Sequence, residues 1–128
     1  MNTDRASATL ASGWIEAWAR MDMAWLRGHL AADFVHVSPF GRLEGRDMYL
    51  EMVEPMARKS VMELRILDVL GDDSRAAVRF ENRTPRGVVE SCDWIFVNNG
   101  LITEIRSYYD SSRIREVLSP GEQDSLGK

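Results

Sequence analysis

Cysteine is nearly absent from this chain: Cys92 stands alone among 128 residues. A single thiol excludes an internal disulfide framework and any multi-cysteine zinc site, and it fits a reducing compartment. Basic residues are in deficit, 16 Lys and Arg against 20 Asp and Glu for a formal charge of −4, so the basic footprint that nucleic acid demands is missing. Long hydrophobic runs are missing as well. Charges interrupt every apolar stretch well before the roughly 18 consecutive residues that a membrane helix requires. The first residues, MNTDRASATLASGWIEAWAR, have no basic start leading into an apolar segment, so no secretory leader is expected and the chain is read as cytoplasmic. No group of His, Cys, Asp and Glu has metal-ligand spacing, and neither a glycine-rich phosphate loop nor a serine elbow occurs. The expectation is chemistry without metal or cofactor, and partners that are neither nucleic acid nor membrane.

What is present describes one soluble globular domain, 45% hydrophobic and 28% charged. A chain of this length buries roughly two-thirds of the surface its unfolded form exposes, enough for a core without covalent staples. Leu10, Trp14, Trp18 and Met21 recur at helical spacing and predict an amphipathic helix over residues 8–20. Asp22 stands at an N-cap position, and Trp25, Leu26 and Leu30 carry a second helix to about Ala32. The β-branched and aromatic run Phe34-Val35-His36-Val37 predicts a short strand that stops at the turn-rich Ser38-Pro39-Phe40-Gly41. Another helix opens at Gly45-Arg46-Asp47. It is expected to kink or restart near Pro55, which has no N–H to donate.

Beyond Ser60 the period changes from helical to alternating, and turn signals divide the rest into strands over residues 61–70, 75–84, 88–97 and 101–109. Asn98-Asn99-Gly100 carries the Asn-Gly pair favoured by tight hairpins. A short helix around residues 114–118 follows, with Asp110 placed to cap it, and residues 119–128 form a polar tail. Helices first and a long antiparallel meander after them argue for a single α+β domain in which a curved sheet wraps the helices and leaves a conical pocket. The far face of that sheet still carries aromatics such as Tyr108. A second copy covering them makes a homodimer the expected state.

The order of helix, helix, short strand, helix and four long strands resembles the nuclear transport factor 2-like superfamily, and within it the SnoaL-like and ketosteroid isomerase-like proteins. The likeness is carried by residues 14–22, by AADFVHVSPFG, by LEGRD and by CDWIFVNNGLITEIRSYYD. It implies a cystatin-like cone over residues 1–118, with a mixed, mostly antiparallel sheet around three N-terminal helices. It also implies small-molecule chemistry of the isomerase, dehydratase or polyketide cyclase type. These motifs are specific for fold and weak for reaction, because one superfamily hosts many chemistries. Set beside the ketosteroid isomerases, the oxyanion-hole tyrosine falls on Trp14, the general-base aspartate falls on Ser38, and only the second acid is matched, by Asp93. A serine of ordinary pKa cannot abstract an α-proton, and an indole offers a single N–H in place of a phenol, so that mechanism is not expected. The arginine that limonene epoxide hydrolase places two residues before its acid falls on Ser91.

Strand alternation draws the pocket without the family. His36 shares a face with Phe34 and Ser38; Asp93 with Ser91, Ile95 and Val97; Ser107 with Ile105 and Tyr109; Asn82 with Val78 and Phe80. Joined by Trp14, Trp18 and Tyr49 from the helices, these rows make a largely apolar pocket with a few convergent polar groups. Asp93, His36 and Tyr109 are the expected catalytic residues. Trp14, Trp18, Ser38, Tyr49, Phe80, Asn82 and Ser107 are the expected substrate contacts, and the Met48, Met52, Met56 and Met62 stripe is expected to fill gaps in the core. Burial raises the pKa of Asp93 unless a donor or cation stabilises its charge, and lowers that of His36. Alternatively, a hydrogen bond between the two keeps Asp93 ionised and holds His36 in one tautomer as the base, an arrangement that scytalone dehydratase resembles. The sequence leaves both states open. The expected function is cofactor-independent general acid/base proton transfer on a hydrophobic carbonyl or hydroxyl compound. The alternative is a non-catalytic small-molecule-binding or protein-interaction module of the same fold, which the missing base at Ser38 favours.

Overall fold

The protein is described by a computed structural model over residues 4–59 and 63–117. Helix α1 (Asp4–Arg20) turns into α2 (Met23–His29) at a sharp joint. Met21 takes a left-handed conformation, φ 54°, and Asp22 caps α2 by accepting the Trp25 N–H at 3.0 Å. The joint brings the Trp25 ring onto Gly13, where any Cβ would collide with it. The helical stripe of α1 buries Trp14 and Ile15, with Ala11 and Ala17 allowing close approach to the sheet.

Helix α2 ends three residues before the expected Ala32. Leu30 is already extended, with φ −92° and ψ 138°, because its backbone pairs with Ile102 in the sheet and its side chain is as well buried there as on a helix. Strand β1 therefore spans Leu30–Ser38, and it turns back through Pro39 and Phe40 into β2 (Gly41–Glu44). That edge strand was not foreseen, since Leu43 is its single apolar side chain and no alternation marks it. Helix α3 (Arg46–Lys59) runs through Pro55 as one element, which corrects the expected restart. The proline forfeits only the bond to the Glu51 carbonyl, and Glu51 is exposed, so solvent can take that carbonyl.

Strands β3 (Glu63–Gly71), β4 (Arg75–Thr84), β5 (Gly87–Asn98) and β6 (Leu101–Tyr108) follow, then α4 (Ser111–Val117). Asp110 Oδ1 accepts the N–H groups of Ser112 and Arg113, the capping role expected of it. Val61, Met62, Leu118 and the tail over 119–128 lie outside the described residues. The sheet order is β2-β1-β6-β5-β4-β3, with β1 and β6 parallel and every other pair antiparallel. This is the mixed, mostly antiparallel α+β sheet read from the sequence. Register shifts interrupt the β1–β6, β3–β4 and β5–β6 ladders, and such bulges bend a sheet and deepen its twist.

The core lies between the inner sheet face and the helices. Phe34, Val78, Ile95, Ile102 and Ile105 are wholly buried, with α1 across β3 and β4 and α3 across β1. Asn99 (φ 53°) and Gly100 (φ 75°) close the β5–β6 hairpin as the Asn-Gly pair predicts. A Cβ at Gly100 meets nothing within 4 Å, so Gly100→Ala isolates the backbone cost alone. It is expected to lower stability by about 1 kcal/mol in urea denaturation, the penalty of a left-handed conformation for an L-residue.

Candidate functional site

Alternation along β4, β5 and β6 sends every second side chain into the space beneath α1 and α3. There they line a cavity of about 210 Å³. Of the ten residues singled out from sequence, Trp14, Trp18, His36, Tyr49, Phe80, Asn82, Asp93, Ser107 and Tyr109 all reach this cavity. Ser38 does not. It lines a neighbouring cavity of about 200 Å³ with Arg42 and Leu43, and its hydroxyl accepts the Phe40 N–H at 3.2 Å. His36, Tyr49 and Tyr109 border both spaces.

Asp93 is the centre of the polar cluster. The residue is 3% exposed; Oδ2 accepts the Trp14 indole N–H at 2.8 Å, and Oδ1 is buried with no hydrogen-bond partner among the described residues. Burial pushes its pKa up to about 6, and the Ser107 hydroxyl and the Trp14 N–H offset part of that by favouring the charged form. Trp14, expected to touch substrate, lines the cavity and also holds the acid. Trp14→Phe keeps the aromatic packing and deletes the donor, so the Asp93 pKa is expected to rise by about one further unit, read by carboxyl-carbon NMR titration.

His36 and Asp93 do not bond each other directly. Ser107 stands opposite Asp93 in the β5–β6 ladder, and its Oγ shares a hydrogen bond with His36 Nε2 at 2.9 Å. Desolvation lowers the His36 pKa to about 4, so the imidazole is neutral wherever Asp93 titrates. The two groups are shifted in opposite directions, and no hydrogen bond joins them among the described residues. Tyr49 packs against His36, Phe34 and Trp14, with ring centroids at 5.2, 5.0 and 6.2 Å. Burial first, then the nearby Asp93 charge, raises its phenol well above the ordinary tyrosine range, so it persists as an O–H donor. Tyr109 follows the end of β6 and stacks at a tilt on Phe40, with ring centroids 5.9 Å apart.

The sequence reading missed the buried pair of Asn82 and Ser91, whose side chains bond at 2.7 Å inside the cavity. Alternation had placed both inward, but only their juxtaposition across the β4–β5 ladder makes them a unit. Also missed were Val53, Leu64 and Ile114 as walls; Met56 joins them, while Met48 and Met52 are largely exposed rather than core. Among the described residues no cluster of three or more His, Cys, Asp or Glu could hold a metal ion, and no helix is long and apolar enough to cross a membrane.

A family model described as the SnoaL-like domain matches residues 11–105. No curated protein shows a significant sequence match. Solved structures do. A candidate polyketide cyclase from Xanthomonas campestris is 21% identical, with 91% of this chain and 100% of that one covered at a TM-score of 0.78. A candidate ketosteroid isomerase from Kribbella flavida is 18% identical, covering 87% and 82% at 0.76. An LEH-like epoxide hydrolase from M. tuberculosis is 17% identical, covering 96% and 90% at 0.73. At these identities the likeness is one of fold.

Proposed function

Because this chain belongs to the SnoaL-like domain family, within the nuclear transport factor 2-like superfamily, we propose that it is a cofactor-independent enzyme that moves protons on a compact hydrophobic carbonyl or hydroxyl compound. The observation that carries this reading is the buried Oδ1 of Asp93, which has no hydrogen-bond partner among the described residues, in a largely apolar cavity. Orphaning a carboxylate oxygen there is costly, and a substrate proton removes the cost. With a pKa of about 6, Asp93 is mostly ionised at neutral pH and returns a proton readily once it has taken one, as a general base and acid must. Tyr49 and Tyr109 supply O–H donors to a developing oxyanion.

The test is α-proton exchange in deuterium oxide, followed by NMR on a panel of enolisable aryl ketones. Exchange above the buffer rate, lost in Asp93→Asn, is expected. Exchange that survives in that variant would end the reading, and saturable ketone binding with no exchange would favour the non-catalytic binding module.

The reading includes a cytoplasmic setting, supported by the lone free Cys92, and a homodimer. Trp94 and Tyr108 are 38% and 58% exposed on the outer face of β5 and β6, an apolar patch that a second copy would cover. Trp94→Glu is expected to halve the mass seen in light scattering, and a native protein that already scatters as a monomer would refute the pairing.

A further inference from the structure

The cavity has two polar ends, and Asp93 accounts for only one. Asn82 and Ser91 are 8% and 4% exposed and line the same space as Phe80, Leu64 and Ile114. The Asn82 amide nitrogen donates to Ser91 Oγ at 2.7 Å and to the Val89 carbonyl at 3.3 Å. A carbonyl can only accept, so the nitrogen must be the atom facing Val89, and the Asn82 amide oxygen is turned away from it. That oxygen accepts no hydrogen bond from a described residue. Ser91 Oγ is engaged as an acceptor, and its hydroxyl proton reaches no acceptor among the described residues. The pair therefore offers one acceptor and one donor side by side.

We propose that Asn82 and Ser91 form a second binding subsite that takes a ligand hydroxyl, which both donates and accepts. Ser91 and Asp93 lie two residues apart on one face of β5, a spacing of about 6.8 Å. The ligand class follows from that spacing and from a volume of about 210 Å³: a single small ring system with a carbonyl at one end and a hydroxyl at the other. This rests on the reading of the cavity as the substrate site and deepens it.

The experiment compares 4-hydroxyacetophenone with 4-methylacetophenone, which match in size and differ in the group at the distal end, by calorimetric titration of the native protein. The hydroxyl compound is expected to bind about tenfold more tightly although the methyl compound is more apolar, because only it satisfies the buried donor and acceptor. In Ser91→Ala the preference is expected to fall below about twofold, and in Asp93→Asn to persist. Equal binding of the two ketones, tighter binding of the methyl compound, or a preference untouched by Ser91→Ala would overturn the subsite. The native comparison decides even if the variant does not fold. Acetyl-proton exchange is read on the same samples. A hydroxyl preference without exchange would keep the subsite and remove the proton-transfer reading, and exchange without preference would do the reverse.

Discussion

Asp93→Asn is expected to remove turnover by a factor of about 100 to 10,000 and, at the same time, to stabilise the fold at pH 7 by about 3 kcal/mol. The second effect follows from the first residue of the mechanism being an unfavourable one to bury. Asp93 has a pKa of about 6 in the fold against 3.8 for an ordinary carboxyl. A raised carboxyl pKa means that the fold prefers the protonated form, so an ionised Asp93 subtracts from stability at every pH above about 6. An amide carries no charge, and its oxygen can still accept the Trp14 N–H that now reaches Oδ2. The gain should shrink as pH falls from 6 to 4 and vanish below, where the carboxyl is protonated in both states. Urea denaturation at pH 7 and pH 4 measures it, and a variant less stable than the native chain at pH 7 would contradict the account.

The native protein itself is expected to show almost no pH dependence from this site between pH 4 and 6, because two opposite slopes cancel. Asp93 binds a proton in the fold but not in the unfolded chain over this window, so its contribution to stability falls as pH rises. His36, with a pKa lowered to about 4 from 6.5, binds a proton in the unfolded chain but not in the fold, so its contribution rises with pH. Each slope is about 1.4 kcal/mol per pH unit. Removing either partner exposes the other. Asp93→Asn is expected to lose stability on acidification by about 3 kcal/mol, and His36→Gln to gain a similar amount over the same range. Parallel profiles in the two variants would show that the site does not titrate as described.

Much of this arrangement was legible before the fold was known, and the reason is periodicity. Alternation on β4 and β5 placed Asn82, Ser91 and Asp93 inward, since one face of each strand had to be apolar and these polar residues share it. The Asn-Gly turn was legible, but its register alone would set Asp93 opposite Arg106; the bulge between Phe96 and Val97, which no local pattern marks, is what sets Asp93 opposite Ser107. What pattern could not supply was partnership between distant side chains. Trp14 and Asp93 are 79 positions apart, and nothing local distinguishes a tryptophan that packs from one that donates to a carboxylate. The Ser107 hydroxyl between His36 and Asp93 is likewise a product of three strands meeting. The misplaced end of α2 has the same origin, because the Leu26 to Leu30 spacing suits a helix and the pairing of Leu30 with Ile102 overrides it.

That pairing also governs the order in which the protein can be assembled. Leu30, near the start of the chain, takes its neighbour from β6, the last strand to be made. A ribosome adding roughly 5–20 residues per second delivers β6 several seconds after β1. Until it arrives, the sheet exists as two unjoined pieces, β2-β1 on one side and β5-β4-β3 on the other. Strand β6 is the keystone of the arch. A stalled or shortened chain that stops before it would leave Phe34 and Ile95 on separate open edges, and would offer the quality-control machinery of the cell a client rather than a folded domain.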